Sequence, residues 1–354
     1  MKYPQNLCIG DTIGITAPSS GINKEIKQKR LDEAIKQLKE MGYKVIETES
    51  VRKNYKGRSN NAKQRAKELM ELWEKKDVKL IIFATGGDYL MEILEYLDLK
   101  KINQLEPKWM QGYSDISTLE FLFHTVLEIP SIQCDTIKSY AMKPLYRNLT
   151  DALKIASGKD VIQKSFDKCE KVNLNMEEEF ANQEEKQKEN INMGYDLTEK
   201  NNWKCITRHK KVEIQGRMLG GNLDVIKMFF ATKYDNIKGF IEKYKDDGII
   251  WHLECFETSS PELTRTLWQM KNSGYFNNIK GIIFGRPLFF RTDYDTTFEQ
   301  AVIEAIGDLD IPIIINADIG HVAPQMAIVN GGIMKIKYEN NKAQIEYNTK
   351  LNRN

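Results

Sequence analysis

The stretch Trp109-Met-Gln-Gly-Tyr-Ser-Asp-Ile-Ser117 joins an apolar, strand-like run to a segment whose apolar residues recur at helical spacing. A serine at such a strand-to-helix turn can be held outside regular secondary structure, with backbone N–H groups beside it. That geometry suits a nucleophilic hydroxyl, so Ser114 is the first candidate catalytic residue. The stretch lacks the second glycine of a Gly-x-Ser-x-Gly turn, so this local pattern alone leaves the function of the serine open.

Strand-like and helix-like segments alternate before this stretch. Apolar strands are predicted at 11–17, 43–47 and 78–84, and amphipathic helices at 24–41 and 61–75. Such alternation predicts parallel strands with helices on both faces of the sheet. In sheets of this type, functional sites form beyond the carboxyl ends of the strands, where the serine turn also falls.

Length and composition predict two domains in a globular protein. The chain has 354 residues, 41% of them hydrophobic, and single cores stop growing near roughly 250–300 residues. We expect an α/β fold, with an N-terminal doubly wound parallel-sheet domain at 1–165 and a smaller C-terminal mixed α/β domain at 212–354. An acidic linker is predicted at 166–211, because 176–190 contains six Glu and two Lys with few apolar residues. A lid that touches substrate is the alternative interpretation of this linker.

The charge balance argues against nucleic acid or a membrane as a partner. The chain has 52 Lys and Arg against 50 Asp and Glu, a net charge of +2. The first residues show no signal peptide, and no stretch approaches the roughly 20 apolar residues of a membrane span, so we expect a cytoplasmic protein. Five widely spaced cysteines without a CxxC pattern argue against a disulfide framework and a zinc site.

The pair Gly86-Gly87 follows the apolar strand at 78–84 and precedes a predicted helix. Glycines let backbone N–H groups turn toward a ligand, and a helix N-terminus favours negative charge. An oxyanion site is one interpretation of this turn, and a phosphate site or a plain connection between strand and helix are the others. The GxGxxG and GxxxxGK[ST] patterns of nucleotide-binding loops are absent from this turn.

A serine nucleophile needs a base, and the chain has four histidines. His321 lies on a glycine-flanked loop after the buried run 311–315, a position suited to chemistry. The other three occupy less favourable positions, within an apolar helix (His124), a basic run (His209) and a strand (His252).

An orienting acid is also required. Glu254 ends the apolar strand 249–253, where an unpaired buried charge would be costly. A histidine N–H is one partner that would stabilise this carboxylate, which would in turn fix the tautomer of the imidazole. Asp318 and Glu257 are rivals for the same role.

Six stretches carry a resemblance to a known family: Gly10-Asp-Thr-Ile-Gly-Ile-Thr-Ala-Pro-Ser-Ser20, Thr85-Gly-Gly87, Gly112-Tyr-Ser-Asp115, Gly216-Arg-Met-Leu-Gly-Gly-Asn-Leu223, Leu253-Glu254 and Gly320-His321. In this order they resemble the LD-carboxypeptidase family of serine peptidases, which includes the microcin C immunity peptidases. The resemblance covers most of the chain, and 165–210 is poorly covered.

The resemblance implies a triad of Ser114 as nucleophile, Glu254 as acid and His321 as base. It further implies an oxyanion site at the backbone N–H groups of Gly87 and Asp115. The implied protein is a homodimer that needs no metal or other cofactor and acts on a small peptide. The implied substrate is a murein tetrapeptide, cut between an L-centred residue and terminal D-alanine.

Two departures from the family pattern, at 86–89 and 255–257, concern the substrate more than the reaction. The long linker with aromatic residues looks more like the microcin-immunity branch, whose substrates would be peptidyl or aminoacyl nucleotides. In that case Trp203 would stack on the base, although it would equally serve as an anchor of the linker. A non-catalytic protein that binds phosphate or sugar at Gly86 and Gly87 is the hypothesis from a different functional class.

Overall fold

The computed structural model describes residues 1–172 and 175–353, so that residues 173 and 174 of the predicted linker and residue 354 lie outside the described part. The strands are β1 (Thr12–Thr16), β2 (Lys44–Glu47), β3 (Val78–Phe83), β4 (Trp109–Gly112), β5 (Ser131–Gln133), β6 (Val161–Lys164), β7 (Lys168–Glu170), β8 (Leu197–Lys200), β9 (Lys204–Cys205), β10 (Lys211–Asn222), β11 (Ile249–Glu254), β12 (Ile279–Gly285), β13 (Ile313–Ala317), β14 (Ile328–Asn330), β15 (Ile333–Glu339) and β16 (Lys342–Tyr347). The α-helices are α1 (Glu25–Glu40), α2 (Ala62–Glu74), α3 (Leu99–Gln104), α4 (Ser117–Leu122), α5 (Arg147–Ala156), α6 (Met176–Glu189), α7 (Leu223–Ile226), α8 (Ile237–Lys243), α9 (Ser260–Asn272), α10 (Phe298–Ile306) and α11 (Thr349–Arg353).

The first sheet is the parallel sheet predicted from the alternating pattern. Its strand order is β14-β5-β4-β3-β1-β2. The first five strands of the chain all run parallel, and β14 adds an antiparallel strand at the edge. The chain moves from β1 outward to β2 and then returns past β1 to β3. The carboxyl ends of β1, β3 and β4 therefore lie side by side, near the point where the winding reverses.

The second sheet is mixed, as expected for the C-terminal domain. Its order is β6-β16-β15-β10-β11-β12-β13-β9, with parallel pairing from β10 to β13 and antiparallel pairing at both sides. The two sheets exchange strands, because β6 pairs with β16 and β14 pairs with β5. The predicted boundary at residue 165 therefore does not coincide with the division between the sheets.

The helix that follows the serine turn packs against the second sheet. Phe121 of α4 stacks on Phe229 at 5.7 Å and on Trp251 of β11 at 6.5 Å between ring centroids. The hydroxyl of Ser117 accepts a hydrogen bond from the N–H of Asn222 at 3.0 Å. Buried aromatic pairs of this kind stabilise beyond the area that they bury. They hold the loop after β4 in a fixed position relative to the end of β11.

Two predicted helices differ in detail. The segment after β3 is the 3-10 helix Leu90–Tyr96 rather than an α-helix, and the helix after the serine turn is composite. It begins as a 3-10 turn (Ser114–Ile116), continues as α4 and ends in a π-helical turn (Phe123–Leu127). Within 1–172 and 175–353, no helix has both the length and the apolar character needed to cross a membrane.

Candidate active site

Ser114 lies just beyond the carboxyl end of β4, on a backbone conformation that few residues adopt. Its φ is +67°, in the left-handed region, where a residue other than glycine is strained and is held by its surroundings. The strand ends at Gly112, and the 3-10 turn begins at Ser114. The half-buried side chain lines a cavity formed by loops of both sheets. This is the strained strand-to-helix turn expected of a nucleophilic serine.

The turn at Gly86 and Gly87 lies directly beside Ser114. A Cβ at Gly86 would be 2.9 Å from Ser114 Oγ, so glycine allows the two segments to approach. Gly87 has φ +149°, and a Cβ there would be 2.4 Å from Ser19 Oγ. The carbonyl of Gly86 accepts hydrogen bonds from the N–H of Ser20 at 3.3 Å and from its hydroxyl at 2.8 Å. These contacts fix the glycine turn against the end of β1.

Asp115 contributes to the site through its backbone and, in addition, through its side chain. Its N–H lies in the first turn of the helix, where N–H groups have no partner within the helix, and a Cβ at Gly86 would be 3.5 Å from this nitrogen. The buried carboxylate accepts hydrogen bonds from Ser19 Oγ at 2.5 Å and from the N–H of Leu90 at 3.0 Å. Burial raises the pKa of this carboxyl. The family resemblance implies a role for the N–H alone, because no local pattern in the sequence shows which loops a side chain will join.

Glu254 and His321 form a hydrogen-bonded pair. Glu254 is the last residue of β11 and is fully buried, and its Oε2 accepts a hydrogen bond from His321 Nδ1 at 2.7 Å. Because the carboxylate is the acceptor, Nδ1 carries the hydrogen, and Nε2 is left to accept a proton. Gly320 has φ +89°, and a Cβ there would be 2.7 Å from Glu254 Oε2. Glycine at position 320 therefore makes room for the pair.

Two aromatic residues hold the imidazole of His321. Its ring centroid lies 4.9 Å from that of Tyr113 and 4.4 Å from that of Phe256. Sequence reasoning did not single out these two residues, although each is adjacent or close to a candidate catalytic residue. Ser114 and His321 line the same cavity, and Tyr113 directly precedes the serine. No hydrogen bond joins Ser114 Oγ to His321 in the described part of the chain, and bonds between nucleophile and base are often loose without a ligand.

The two rival acids are not paired with His321. Asp318 lies in a separate buried network, in which its carboxylate accepts a hydrogen bond from Asn201 Nδ2 at 2.6 Å and pairs with Arg286. Glu257 is exposed and lines the cavity without a hydrogen bond to the imidazole among the described contacts. The carboxylate at the end of β11 is therefore the one positioned to orient the base.

The other three histidines lie away from the cavity. His124 and His252 are fully buried, and burial lowers their pKa values to about 3 and about 4. His209 makes a 3.0 Å hydrogen bond with the hydroxyl of Thr207. Among the four histidines, these positions leave His321 as the candidate base at the cavity.

Trp203 does not reach the cavity, so the predicted contact of this residue with substrate is wrong. Its indole ring is fully buried, and Nε1–H donates a hydrogen bond to Asp318 Oδ2 at 3.1 Å. A ring enclosed on both faces cannot stack on a substrate base. The alternative interpretation holds, since the indole anchors the end of the linker to the loop that carries His321.

The acidic linker forms one wall of the cavity through α6. The described side chains of this helix are not buried, as expected for a solvated segment. One of them, Phe180, is 47% exposed, lines the cavity and contacts the ring of Phe289 edge-on at 6.1 Å. Glu184 of the same helix forms an ion pair at 2.5 Å with Lys24, which directly precedes α1. The segment is thus both a solvated linker and a part of the candidate site.

The chain is similar to known proteins over most of its length. Residues 13–134 match the N-terminal domain of LD-carboxypeptidase, and residues 215–336 match its C-terminal domain. A protein of Vibrio cholerae that is named as a carboxypeptidase is 24% identical over 98% of each chain. The microcin C7 self-immunity protein MccF, solved in complex with aspartyl sulfamoyl adenosine, is 22% identical with a TM-score of 0.76 over 98% of each chain.

The muramoyltetrapeptide carboxypeptidase from Oxalobacter formigenes superposes with a TM-score of 0.70 at 20% identity, covering 95% of this chain and 98% of that one. At such identities the two solved structures establish the shared fold. The two matched domains span most of the sequence and contain the candidate nucleophile, acid and base. The chain therefore belongs to the LD-carboxypeptidase family and is a hydrolase of the serine carboxypeptidase type.

Proposed function

We propose that the protein hydrolyses the amide bond before the last residue of a small peptide, with Ser114 as nucleophile, His321 as base and Glu254 as orienting acid. The observation that carries this proposal is the 2.7 Å hydrogen bond between Glu254 and His321, at the cavity that the strained serine also lines. Membership of the family supports the class of reaction.

In the proposed mechanism, Ser114 Oγ attacks the scissile carbonyl carbon while His321 Nε2 takes the hydroxyl proton. Glu254 keeps the ring hydrogen at Nδ1 and stabilises the imidazolium that forms. The N–H groups of Gly87 and Asp115 donate hydrogen bonds to the oxyanion of the tetrahedral intermediate. His321 then protonates the leaving amine as the C–N bond breaks. Water, activated by the same base, releases the acyl group from the serine.

The proposed substrate is a murein tetrapeptide, cut between an L-centred residue and terminal D-alanine. The fold shared with the Oxalobacter muramoyltetrapeptide carboxypeptidase supports this choice. The cavity also accommodates polar groups, since charged side chains of both signs line it.

The direct test measures D-alanine release from the tetrapeptide by the wild type and by Ser114→Ala. Loss of the nucleophile in a serine triad costs on the order of 10⁶ in kcat, so we expect no measurable release by the variant. Ser273→Ala, at the end of α9 and away from the cavity, is the matched control and should keep full activity. Labelling by a fluorophosphonate that depends on Ser114 would exclude the non-catalytic binding protein. Full activity of Ser114→Ala would refute the mechanism.

A second candidate substrate is an aminoacyl nucleotide, and the position of Phe180 favours it. This ring lines the cavity with 47% of its surface exposed, so it offers a face to a nucleobase in place of the buried Trp203. The fold shared with MccF, solved with an aminoacyl sulfamoyl adenosine, supports the same class of substrate. Stacking of a base on an aromatic ring contributes about 1–3 kcal/mol.

Phe180→Ala should therefore reduce kcat/KM for an aspartyl phosphoramidate of adenosine by about 5- to 150-fold and leave the tetrapeptide almost unaffected. Tyr96→Ala removes an aromatic ring that is 54% exposed outside the cavity, and serves as the control. Equal loss on both substrates by Phe180→Ala would mean that the ring shapes the cavity rather than binding a base.

A further inference from the structure

Three cationic side chains face one another along a wall of the cavity. Lys27 and Arg30 belong to α1, and Lys138 belongs to the 3-10 helix Ile137–Ala141 that follows β5 and packs against α1. Among the described residues, none of the three forms an ion pair. The carboxylate near Lys27 is that of Glu184, which is already paired with Lys24. These three residues are called the cationic wall below.

The guanidinium of Arg30 donates hydrogen bonds to the carbonyls of Ile191 at 2.9 Å and Met193 at 3.3 Å. Carbonyl groups satisfy its donors and leave its positive charge uncompensated. The two lysines have more freedom. Lys138 makes one weak contact, at 3.4 Å, between its Nζ and the hydroxyl of Thr85.

Two of the acidic side chains that line the same cavity, Asp135 and Glu170, accept hydrogen bonds from groups outside the cationic wall. Asp135 accepts hydrogen bonds from the hydroxyl of Tyr195 and from Asn148 Nδ2, each at 2.8 Å. Glu170 accepts a hydrogen bond from the N–H of Asp196 at 3.0 Å. Burial raises the pKa of both carboxyls, and among the described residues neither forms an ion pair with the cationic wall.

The position of Lys138 relates the cationic wall to the proposed chemistry. Its contact residue Thr85 directly precedes Gly86, whose Cβ position lies 2.9 Å from Ser114 Oγ. The ammonium group of Lys138 therefore lies beside the glycine turn that approaches Ser114, on the cavity that the serine also lines. Burial and the positive charges of Lys27 and Arg30 lower the pKa of Lys138 to about 7.

We propose that Lys27, Arg30 and Lys138 bind an anionic group that the substrate carries on its leaving portion, next to the scissile amide. This inference rests on the proposed function and adds the recognition element that would make the enzyme specific for a terminal residue. A released amino acid carries such an anion as its α-carboxylate. A released nucleotide carries it as a phosphoryl group on the scissile nitrogen. In both cases a charge-assisted hydrogen bond from the wall replaces the water that the anion loses.

The test compares two tetrapeptides that differ at one group, a C-terminal carboxylate and a C-terminal carboxamide. Hydrogen bonds to charged groups contribute about 1.5–3 kcal/mol, so the wild type should prefer the carboxylate by about 10- to 150-fold in kcat/KM. Lys138→Met should abolish most of this preference by raising KM for the carboxylate alone. The rate on the carboxamide should change less than about twofold. Lys27→Met should act in the same direction.

Lys143→Met is the matched control, because Lys143 lies five residues further along the chain, outside the cavity, and pairs with Glu33 at 3.2 Å. This variant should keep the preference of the wild type. An equal loss on both peptides in Lys138→Met, or an unchanged preference in Lys138→Met and Lys27→Met, would overturn the proposal.

A second measurement does not depend on the identity of the substrate. A phosphonate diester whose phenolate leaving group carries a carboxylate should label Ser114 faster than the same phosphonate with that carboxylate as its methyl ester, and Lys138→Met should equalise the two rates. The wild type and Lys138→Met are also compared on an aspartyl phosphoramidate of adenosine and on the carboxylate peptide. The substrate on which the variant loses activity identifies the bound anion as a phosphoryl group or a carboxylate. If Ser114 is labelled without any preference for the anionic probe, the cationic wall has another role. If Ser114 is not labelled and neither substrate is cleaved, the proposed function itself fails, and this inference fails with it.

Discussion

Replacing Gly320 by alanine tests whether the position of Glu254 controls the reaction. Gly320 lies one residue before the base, and an alanine Cβ there would be 2.7 Å from Glu254 Oε2 and 2.8 Å from Glu254 Cβ. Ordinary van der Waals contact begins near about 3.4 Å, so the carboxylate or the histidine loop must move by about 0.7 Å. The 2.7 Å hydrogen bond to His321 Nδ1 cannot keep its geometry after such a shift.

Two separate costs follow from this substitution. A misplacement of catalytic groups by about 1 Å costs about 10²-fold in rate, so kcat should fall by one to two orders of magnitude. The φ of +89° at Gly320 adds backbone strain of about 1–2 kcal/mol to the folded state. The variant should therefore be less stable by at least this amount and also slow.

Gly10→Ala separates the two costs. Gly10 has a similar φ of +93°, but a Cβ there would meet no atom within 4 Å. This control should lose about 1–2 kcal/mol of unfolding free energy in urea and keep its kcat. The assay combines D-alanine release with urea denaturation for both variants. A folded Gly320→Ala enzyme with wild-type kcat would refute the reasoning, because the displaced carboxylate would then have no catalytic role.

Glu254→Gln should lower kcat on the order of 10⁴-fold, because an amide cannot stabilise the imidazolium of His321. Steady-state kinetics at saturating peptide measure this loss, and a loss below tenfold would contradict the role of Glu254. The pKa of about 7 for Lys138 predicts that KM for a peptide with a free carboxylate rises as pH increases above about 7, since the lysine loses its proton there. In Lys138→Met this rise should be absent, and a rise that persists would assign it to another group. Asp318→Asn should cost about 3–5 kcal/mol of stability by leaving the buried Arg286 without its partner, and an unchanged urea midpoint would argue against that network.

The candidate site could be predicted from the sequence as far as strand ends determine it. In a parallel sheet the loops after successive strands meet at one edge, so an apolar run followed by Gly87 or Ser114 already indicates a shared location. The residue types of the proposed triad were identified in the same way. From the residues alone the choice between Glu254 and Asp318 stays open, and only the family resemblance favours Glu254, because the choice depends on the register of β11 against β12 and β13, which local sequence does not determine.

The division of the fold into domains is harder to predict from the sequence, for the same physical reason. The strand Val161–Lys164 pairs with β16, and Ile328–Asn330 pairs with β5, each across more than 150 residues of chain. Patterns of apolar residues predict that a strand forms and do not specify a distant partner. The cytoplasmic location and the homodimer stay predictions from the sequence and the family resemblance.

The carboxylate rejected as the catalytic acid has a clear function in the fold. Asp318 lies three residues before His321, and it accepts hydrogen bonds from the N–H of Phe166 at 2.9 Å and from Trp203 Nε1 at 3.1 Å, at the two ends of the linker. The linker that carries Phe180 along the cavity is therefore fastened to the loop that carries the base. One buried carboxylate thus holds both ends of the linker and the loop before His321 in a single hydrogen-bond network.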